Sequence, residues 1–521
     1  LFDLQPYAAS TWSSRRSFDE TGSASAWDER RLHDLGVDAR VPLSSTLVLN
    51  ATLNPDFSQI EADALQIDVN QRYPLYYEEK RPFFLEGADI FKSQFDLVYT
   101  RRLADPTYGA KLAGTLGHVR LGGIVVRDDG GSPLEGMGAG TAEGTTGKGW
   151  FHIGRASWEI GENSSLGVLL AAHQSEGGIL LDAGAGETGQ PSGGGNVVLA
   201  ADAKVRLSRG WFFAGQIAQS RSNADTVTFA DVWDSTGIQI GWTTRRATMR
   251  DLAYMADFEY LDAVRHLQLF QQYLGPRFRA ESGFLERVDL RKTGLNSDFY
   301  VRPNNAWLRS VQPALNAYVW HDHGGVPQEW SVAPGMEWSF ERQTTLELKA
   351  ERAMERWQSR DYLETWWILE LNNTTWKTLD LHVEASAGDG VFYGPSDAAS
   401  FRGWSEKLET WATLRPGAGL TAELGAQASR FSRARGERPI FSVWVLGAKT
   451  TWQFTRRLYL RLYPQYDTGS EHLDADALIA YVVHPGSVAY LGFNGDGDRV
   501  AGRQRTTGRT LFFKLSYLFQ R

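Results

Sequence analysis

Three short strings in this 521-residue chain hold residue types able to bind a metal. HDHGG sets His321 and His323 on either side of Asp322, an arrangement that two imidazoles could offer to an ion in a loop. Two ligands do not make a coordination shell, and a solvated loop accounts for them. NGDGDRVAG spaces Asp496 and Asp498 like part of a calcium loop but lacks the distal bidentate Glu, so it reads as a polar loop. NPDFSQIEAD clusters Asp56, Glu61 and Asp63, while turn chemistry around Pro55 explains Asn54 and Asp56. The ten His are scattered, and no Ser/His or Asp/His group of a membrane-embedded hydrolase stands out. Phosphate loops, Rossmann glycines and an HExxH pair are missing. The chain reads as a non-enzyme with no cofactor.

A fourth string, YYEEKRPFFLEGADIF, is of another kind. Glu78, Glu79, Lys80 and Arg81 run directly into Pro82, Phe83 and Phe84, with Glu86 and Asp89 close behind. Neither helical nor strand periodicity fits that order, so its meaning depends on the elements around it.

Composition narrows those elements. Hydrophobic residues make up 42% of the chain, too few for several globular cores, while Gly (53), Trp (19), Tyr (19) and Phe (26) are plentiful. The net charge of −8 is spread along the chain, which argues against a nucleic-acid partner. Cys is absent, so disulfides and thiol chemistry are excluded. No apolar run approaches the ~18 residues of a spanning helix. The opening LFDLQPYAAS lacks the features of a secretory leader, so any leader is expected upstream.

Alternation decides the fold class. TLELKAE opposes Leu346, Leu348 and Ala350 to Glu347, Lys349 and Glu351; TLDLHVEAS opposes Leu379, Leu381 and Val383 to Asp380, His382 and Glu384. WSVAPGMEWSF, LTAELGAQAS and LYLRLYPQY repeat the pattern, with Glu423 and Arg461 on the polar faces. A period of two marks strands with one apolar and one wet face. Apolar faces mixed with Trp, Ala and Gly suit lipid better than a second sheet. The expectation is an all-β transmembrane antiparallel β-barrel of about 26 strands, with 24 the next choice. Short turns near residues 161–165, 208–210, 303–306, 341–344, 376–378, 415–419, 454–457 and 485–487 alternate with long connections. Short periplasmic turns and long external loops are the rule for bacterial outer-membrane barrels, and that parity puts both termini in the periplasm. Trp158, Trp211, Trp307, Trp338, Trp376 and Trp452 fall near short turns; Trp150, Trp320, Trp330 and Trp404 fall near long ones. Two such belts form the aromatic girdles of a membrane protein.

NPDFSQIEAD, EEKRPFFLEGADIF, YTRR and YGAKLAG, with the ending LFFKLSYLFQ, resemble one bacterial family. It is the outer-membrane barrel domain of unknown function that usually follows a carbohydrate-binding family-9-like module. The resemblance implies a barrel in a Gram-negative outer membrane and carries no assigned activity. The amino-terminal module does not occur in this chain.

In that setting residues 1–521 form a single barrel domain with 73–93 as a lumen or periplasmic-rim segment. The segment would follow a strand at roughly 64–72 and precede one at 94–102, on the periplasmic side. Either it is an elaborate turn with Phe83 and Phe84 under the rim, or it folds into the lumen. In the second case Lys80 and Arg81 would pair with wall acids such as Glu347 or Glu384. Glu78, Glu79, Lys80, Arg81, Phe83, Phe84 and Glu86 are the occlusion candidates; residues 13 to 31 and the Gly-rich loops are others. Glu347, Lys349, His382, Glu384, Glu423 and Arg461 are the expected lumen-facing residues. Function reads first as a large porin-like pore, occluded or gated, for solute passage or docking, with a saccharide-type solute in view. Anchoring of partner proteins through the loops is the alternative, and a hydrolase a distant third. Expected partners are outer-membrane lipid and accessory envelope proteins or lipoproteins.

Overall fold

A computed structural model describes residues 2–19, 22–55, 57, 63–130, 148–176, 194–228, 243–394 and 399–520. The first three strands are β1 (Asp3–Arg15), β2 (Asp28–Pro42) and β3 (Leu47–Leu53). After a long insertion come β4 (Pro106–Leu116), β5 (Val119–Asp128), β6 (Gly149–Glu159), β7 (Ser165–Ser175), β8 (Gly194–Ser208) and β9 (Trp211–Thr228). Next are β10 (Thr243–Leu261), β11 (Arg265–Leu274), β12 (Leu290–Phe299), β13 (Leu308–His321), β14 (Pro327–Phe340), β15 (Thr344–Trp357) and β16 (Arg360–Trp376). The circuit finishes with β17 (Leu379–Phe392), β18 (Phe401–Gly417), β19 (Leu420–Ser432), β20 (Pro439–Gln453), β21 (Leu458–Asp467), β22 (His472–His484), β23 (Ser487–Val500) and β24 (Arg503–Ser516). Each strand pairs antiparallel with its neighbours in sequence, and β24 closes on β1, where Thr11 faces Phe512. Phe519–Gln520 continues β24 along Asp3 and Leu4.

The result is a closed cylinder of 24 strands. The expected 26 included residues 64–72 and 94–102, which join no ladder. They are irregular chain inside the cylinder, with a turn at 69–70 and a 3-10 turn at Thr100–Arg102, bonded to the wall mainly through side chains. With strands ~4.8 Å apart and tilted ~40°, 24 staves give a circumference of about 150 Å and a diameter of about 48 Å.

Alternation sorts the two faces. On β16, Leu363, Trp367 and Leu369 are exposed outward, while Tyr362 and Glu364 on either side of Leu363 are buried. On β7, Leu166, Val168 and Leu170 point outward, but Leu169, Ala171 and His173 are buried as well. Something apolar therefore fills the cylinder beside β7. Strand parity places the connections at 43–46, 117–118, 160–164, 209–210, 262–264, 300–307, 341–343, 377–378, 418–419, 454–457 and 485–486 at one end, together with both termini. The ends of β5 and β6, β7 and β8, β9 and β10, and β11 and β12 that precede and follow the longer connections lie at the other. The segment of residues 54–105 leaves and re-enters the wall at this long-loop end, not at the short-turn end expected from sequence.

Candidate functional site

The inserted segment crosses the barrel. Its second half, residues 81–105, seats on the wall from β3 to β11. Pro82–Leu85 forms one helical turn (α1), followed by a 3-10 turn at Ala88–Phe91. Phe84, Ile90, Phe91 and Leu103 pack with Ile124, Val126, Phe151 and Ile153 of β5 and β6. Phe95 and Leu97 join Leu169, Ala171, Val198, Ala200, Ala218, Ala253 and Leu274 of β7 to β11, with Phe278 above. These strands are apolar on both faces because one meets the outside and the other this segment. Gly122 on β5 leaves room for it: a Cβ there would lie 2.7 Å from the Phe91 ring.

The first half, residues 63–77, reaches the opposite wall through polar contacts. Arg72 lies between Glu329 of β14 and Glu355 of β15, its Nη1 3.1 Å and 2.9 Å from their carboxylates, with its side chain only 6% exposed. Tyr73, Trp320 and Trp357 surround the guanidinium, their ring centroids 5.1 Å, 5.5 Å and 6.0 Å away. Asn70 donates to the carbonyl of Val391 on β17 at 2.8 Å and accepts from the amide of Tyr393 at 2.8 Å. Gln465 of β21 accepts from the amide of Leu65 at 2.8 Å and donates to the carbonyl of Asp63 at 3.1 Å. Phe91 touches β5 and Asn70 touches β17, and those staves are twelve apart (17 − 5) in a ring of 24. The segment thus spans a diameter.

The charged run is the fold's internal knot. The Glu79 carboxylate accepts from Arg81 Nε at 2.9 Å, Arg81 Nη2 at 2.8 Å, the Arg81 amide at 2.8 Å and the Thr100 hydroxyl at 2.7 Å. Arg81 spends its other hydrogens on the carbonyls of Leu103, at 2.6 Å, and Thr100, at 2.7 Å. Burial opposes ionisation of Glu79, but the Arg81 and Thr100 hydrogen bonds outweigh it and hold the carboxyl below its ordinary range. Burial also pushes the Tyr99 phenol up to about 12, so it stays protonated and donates to the carbonyl of Tyr77 at 2.8 Å. Asp63 pairs with both Lys80 and Arg101. Lys111 of β4, fully buried, caps α1 by donating to the carbonyls of Phe83 and Glu86. Glu86 also takes Asn50 at 2.9 Å and Arg40 at 3.0 Å. Phe83 stands edge-on to Phe84, and Glu78 is exposed.

The partners expected for Lys80 and Arg81 therefore need correction. They pair within the segment, with Asp63 and Glu79, and not with Glu347 or Glu384. A cation this deeply buried is best neutralised by a carboxylate already held beside it, and Glu79 is two residues away. The wall contact falls to Arg72, which the sequence reading passed over. Its signal was masked, since Leu65, Ile67 and Val69 alternate with Gln66, Asp68 and Asn70 as they would in a wall strand.

Glu347, Lys349, Glu423 and Arg461 alternate along their strands with the exposed Leu348, Leu424 and Leu462, and His382 and Glu384 share one face of β17. Lys349 pairs with Glu347 at 2.8 Å, and Lys449 with Glu423 at 3.4 Å. His382 stacks on Trp411 at 3.7 Å and bonds Asn372 at 2.6 Å. A cavity of about 310 Å³ separates Gln66, Ile67, Gln71 and Leu75 of the segment from Glu384, Lys407, Glu409 and Gln427 of the wall. Cross-strand register reveals an unanticipated row on that wall. Glu337 faces Glu347, Glu347 faces Glu370, Glu370 faces Glu384, and Glu384 faces Glu409, one carboxylate on each strand from β14 to β18. Like charges directly opposite one another destabilise a sheet, so this row calls for water or cations in front of it.

The metal candidates disperse. Asp496 and Asp498 lie within β23 and not in a loop; Asp498 pairs with His472 at 2.7 Å and Asp496 accepts from Thr507 at 2.9 Å. His321 ends β13, while His323 bonds Tyr273 at 3.1 Å. Among the described residues no three His, Asp or Glu side chains converge on a metal position. Asp56, Glu61 and the centres of both Gly-rich loops lie outside the described residues. The two ends of the β1–β2 connection lie against the end of β24, with Arg16 donating to the Thr506 carbonyl and Trp27 under Arg509.

Residues 2–113 match the domain of unknown function DUF5916, a stretch covering β1 to β3, the crossing segment and most of β4. No curated protein matches the sequence. Among solved structures, the ferric enterobactin receptor PfeA from Pseudomonas aeruginosa, in complex with BCV-L6, aligns with 99% of this chain and 81% of its own. Its identity is 12% and its TM-score 0.50. The siderophore receptor PirA from Acinetobacter baumannii covers 99% and 80% at 10% identity and a TM-score of 0.48. The FrpB iron transporter from Neisseria meningitidis covers 80% and 80% at 12% identity and a TM-score of 0.47. The chain has the fold of a large closed β-barrel.

Proposed function

We propose that this protein is an outer-membrane barrel working as a gated pore, with residues 54–105 as its gate and the short-turn end in the periplasm. The observation that carries this reading is the segment's attachment to both opposite walls of the lumen. Large barrels with a filled lumen are typical of outer-membrane transporters. The two attachments are unequal. Residues 81–105 are anchored in two apolar clusters, whereas residues 63–77 hold the far wall mainly by Arg72, Asn70 and Gln465. Detaching the polar half re-hydrates charges and exposes little apolar area, so that half is the moving part. The row of five glutamates, offset only in part by Lys349 and Lys407, favours cationic solutes over anionic ones, since a wall with an excess of one sign concentrates counter-ions. The neighbours named for enterobactin, siderophores and iron support a role in solute uptake but do not name the solute here.

Deleting residues 64–104 tests the reading in planar bilayers. The intact barrel should be nearly silent, and the shortened one should give large, steady conductance. A shortened barrel that inserts yet stays sealed would sink the pore and leave loop-mediated anchoring as the better account.

A further inference from the structure

The short-turn rim carries a charge pattern that the pore does not use. Arg209, Arg302, Arg309, Arg342, Lys377, Arg456 and Arg457 are exposed there and form no ion pair among the described residues. They are spread from the β8–β9 turn to the β20–β21 turn, over half the circumference. Other charges at this rim cancel locally. Asp262 pairs with Arg265, Asp380 with Arg415 and Glu162 with Arg206, leaving Glu159 and Glu341 as exposed acids.

Just above these cations runs an outward belt of Trp158, Trp211, Trp307, Trp376 and Trp452, exposed by 43 to 62%. Trp211 is two residues from Arg209, Trp376 next to Lys377, and Trp452 four from Arg456, each cation on the turn side of its ring, whereas Arg309 lies on the strand side of Trp307. Indole rings settle at the level of lipid headgroups, with an apolar body inward and a polar edge in water. Cations one to four residues beyond that level stand where headgroup phosphates lie, and long basic side chains reach them readily.

From this juxtaposition we infer that the short-turn rim is a docking collar for anionic phospholipid of the inner leaflet. The inference rests on the membrane reading above. Guanidinium groups bind phosphate oxygens in pairs, and anionic headgroups add net attraction that falls with salt.

The full chain would be reconstituted in phosphatidylcholine vesicles holding about 30 mol% phosphatidylglycerol, with spin-labelled lipids reporting the first shell. The expected result is a two- to threefold preference for phosphatidylglycerol, about the scale of a surface attraction shared over many sites, abolished by 1 M salt. The variant Arg209→Gln, Arg342→Gln, Lys377→Gln, Arg456→Gln, Arg457→Gln should show no preference. The control Arg433→Gln, Arg435→Gln, Arg438→Gln, at the long-loop end, should keep it. Equal affinity for both lipids in the wild type, salt-insensitive preference, or loss only in the control would each overturn the collar. Failure of the barrel to insert would instead overturn the membrane reading.

Discussion

Replacing Arg72 by Gln is the sharpest perturbation available. In the closed state its guanidinium separates Glu329 and Glu355, side chains 19% and 13% exposed. Removing one partner of a buried ion pair strands the remaining charge and costs roughly 3–5 kcal/mol. The cost is confined to the closed arrangement, because detachment lets water reach both carboxylates. At about 3 kcal/mol and 1.36 kcal/mol per decade, the ratio of detached to seated segment should rise roughly 150-fold. Two amides report it directly by hydrogen exchange: that of Leu65, held by Gln465, and that of Tyr393, held by Asn70. Both should exchange about two decades faster in Arg72→Gln, while the amide of Phe95, bonded to Gln216 at 2.8 Å, keeps its protection. Adding Glu329→Gln and Glu355→Gln should restore part of the protection, since both stranded carboxylates are then neutral and Arg287, stacked on Trp320 at 4.0 Å, is the cation left in the cluster. Unchanged exchange at Leu65 and Tyr393 in a folded Arg72→Gln barrel would refute the latch. Equal acceleration at Phe95 would refute the division into fixed and moving halves.

Two further outcomes are expected. The Glu79 carboxyl has a folded value below the ordinary 4.5, so its contribution is complete above that pH and fades as pH falls through the folded value. Proteolysis at residues 95–105 should therefore rise on acidification below about 4.5, and Glu79→Gln should show the rise at neutral pH with a cost of about 3 kcal/mol. In the barrel lacking residues 64–104, the reversal potential in a KCl gradient should mark cation preference, and Glu347→Gln, Glu370→Gln and Glu384→Gln together should move it toward zero; an anion-preferring barrel would contradict the role given to the row.

Much of this protein was legible in one dimension. A period of two is a local property of the chain, so TLELKAE and TLDLHVEAS announced their inner and outer faces without any knowledge of their neighbours. Turn parity was equally local, and it put both termini at one end of the strands. The four strings that set the first quarter apart also proved to belong together. NPDFSQIEAD supplies Asp63, EEKRPFFLEGADIF supplies Lys80 and Arg81, YTRR supplies Arg101, and YGAKLAG supplies Lys111.

What sequence could not decide was pairing between distant segments. Residues 64–72 and 94–102 read like strands in sequence, and only the missing ladder, the turn at 69–70 and the 3-10 turn at Thr100–Arg102 show that they left the wall, which is why 26 became 24. The apolar inner faces of β5 to β9 were a sign that something seats there, but alternation alone assigns faces and not occupants. The union of Arg72 with Glu329 and Glu355, more than 250 residues away, and the alignment of five glutamates across five strands follow from strand register and closure. Register is fixed when the whole sheet closes and sets each residue against a partner that no local pattern names.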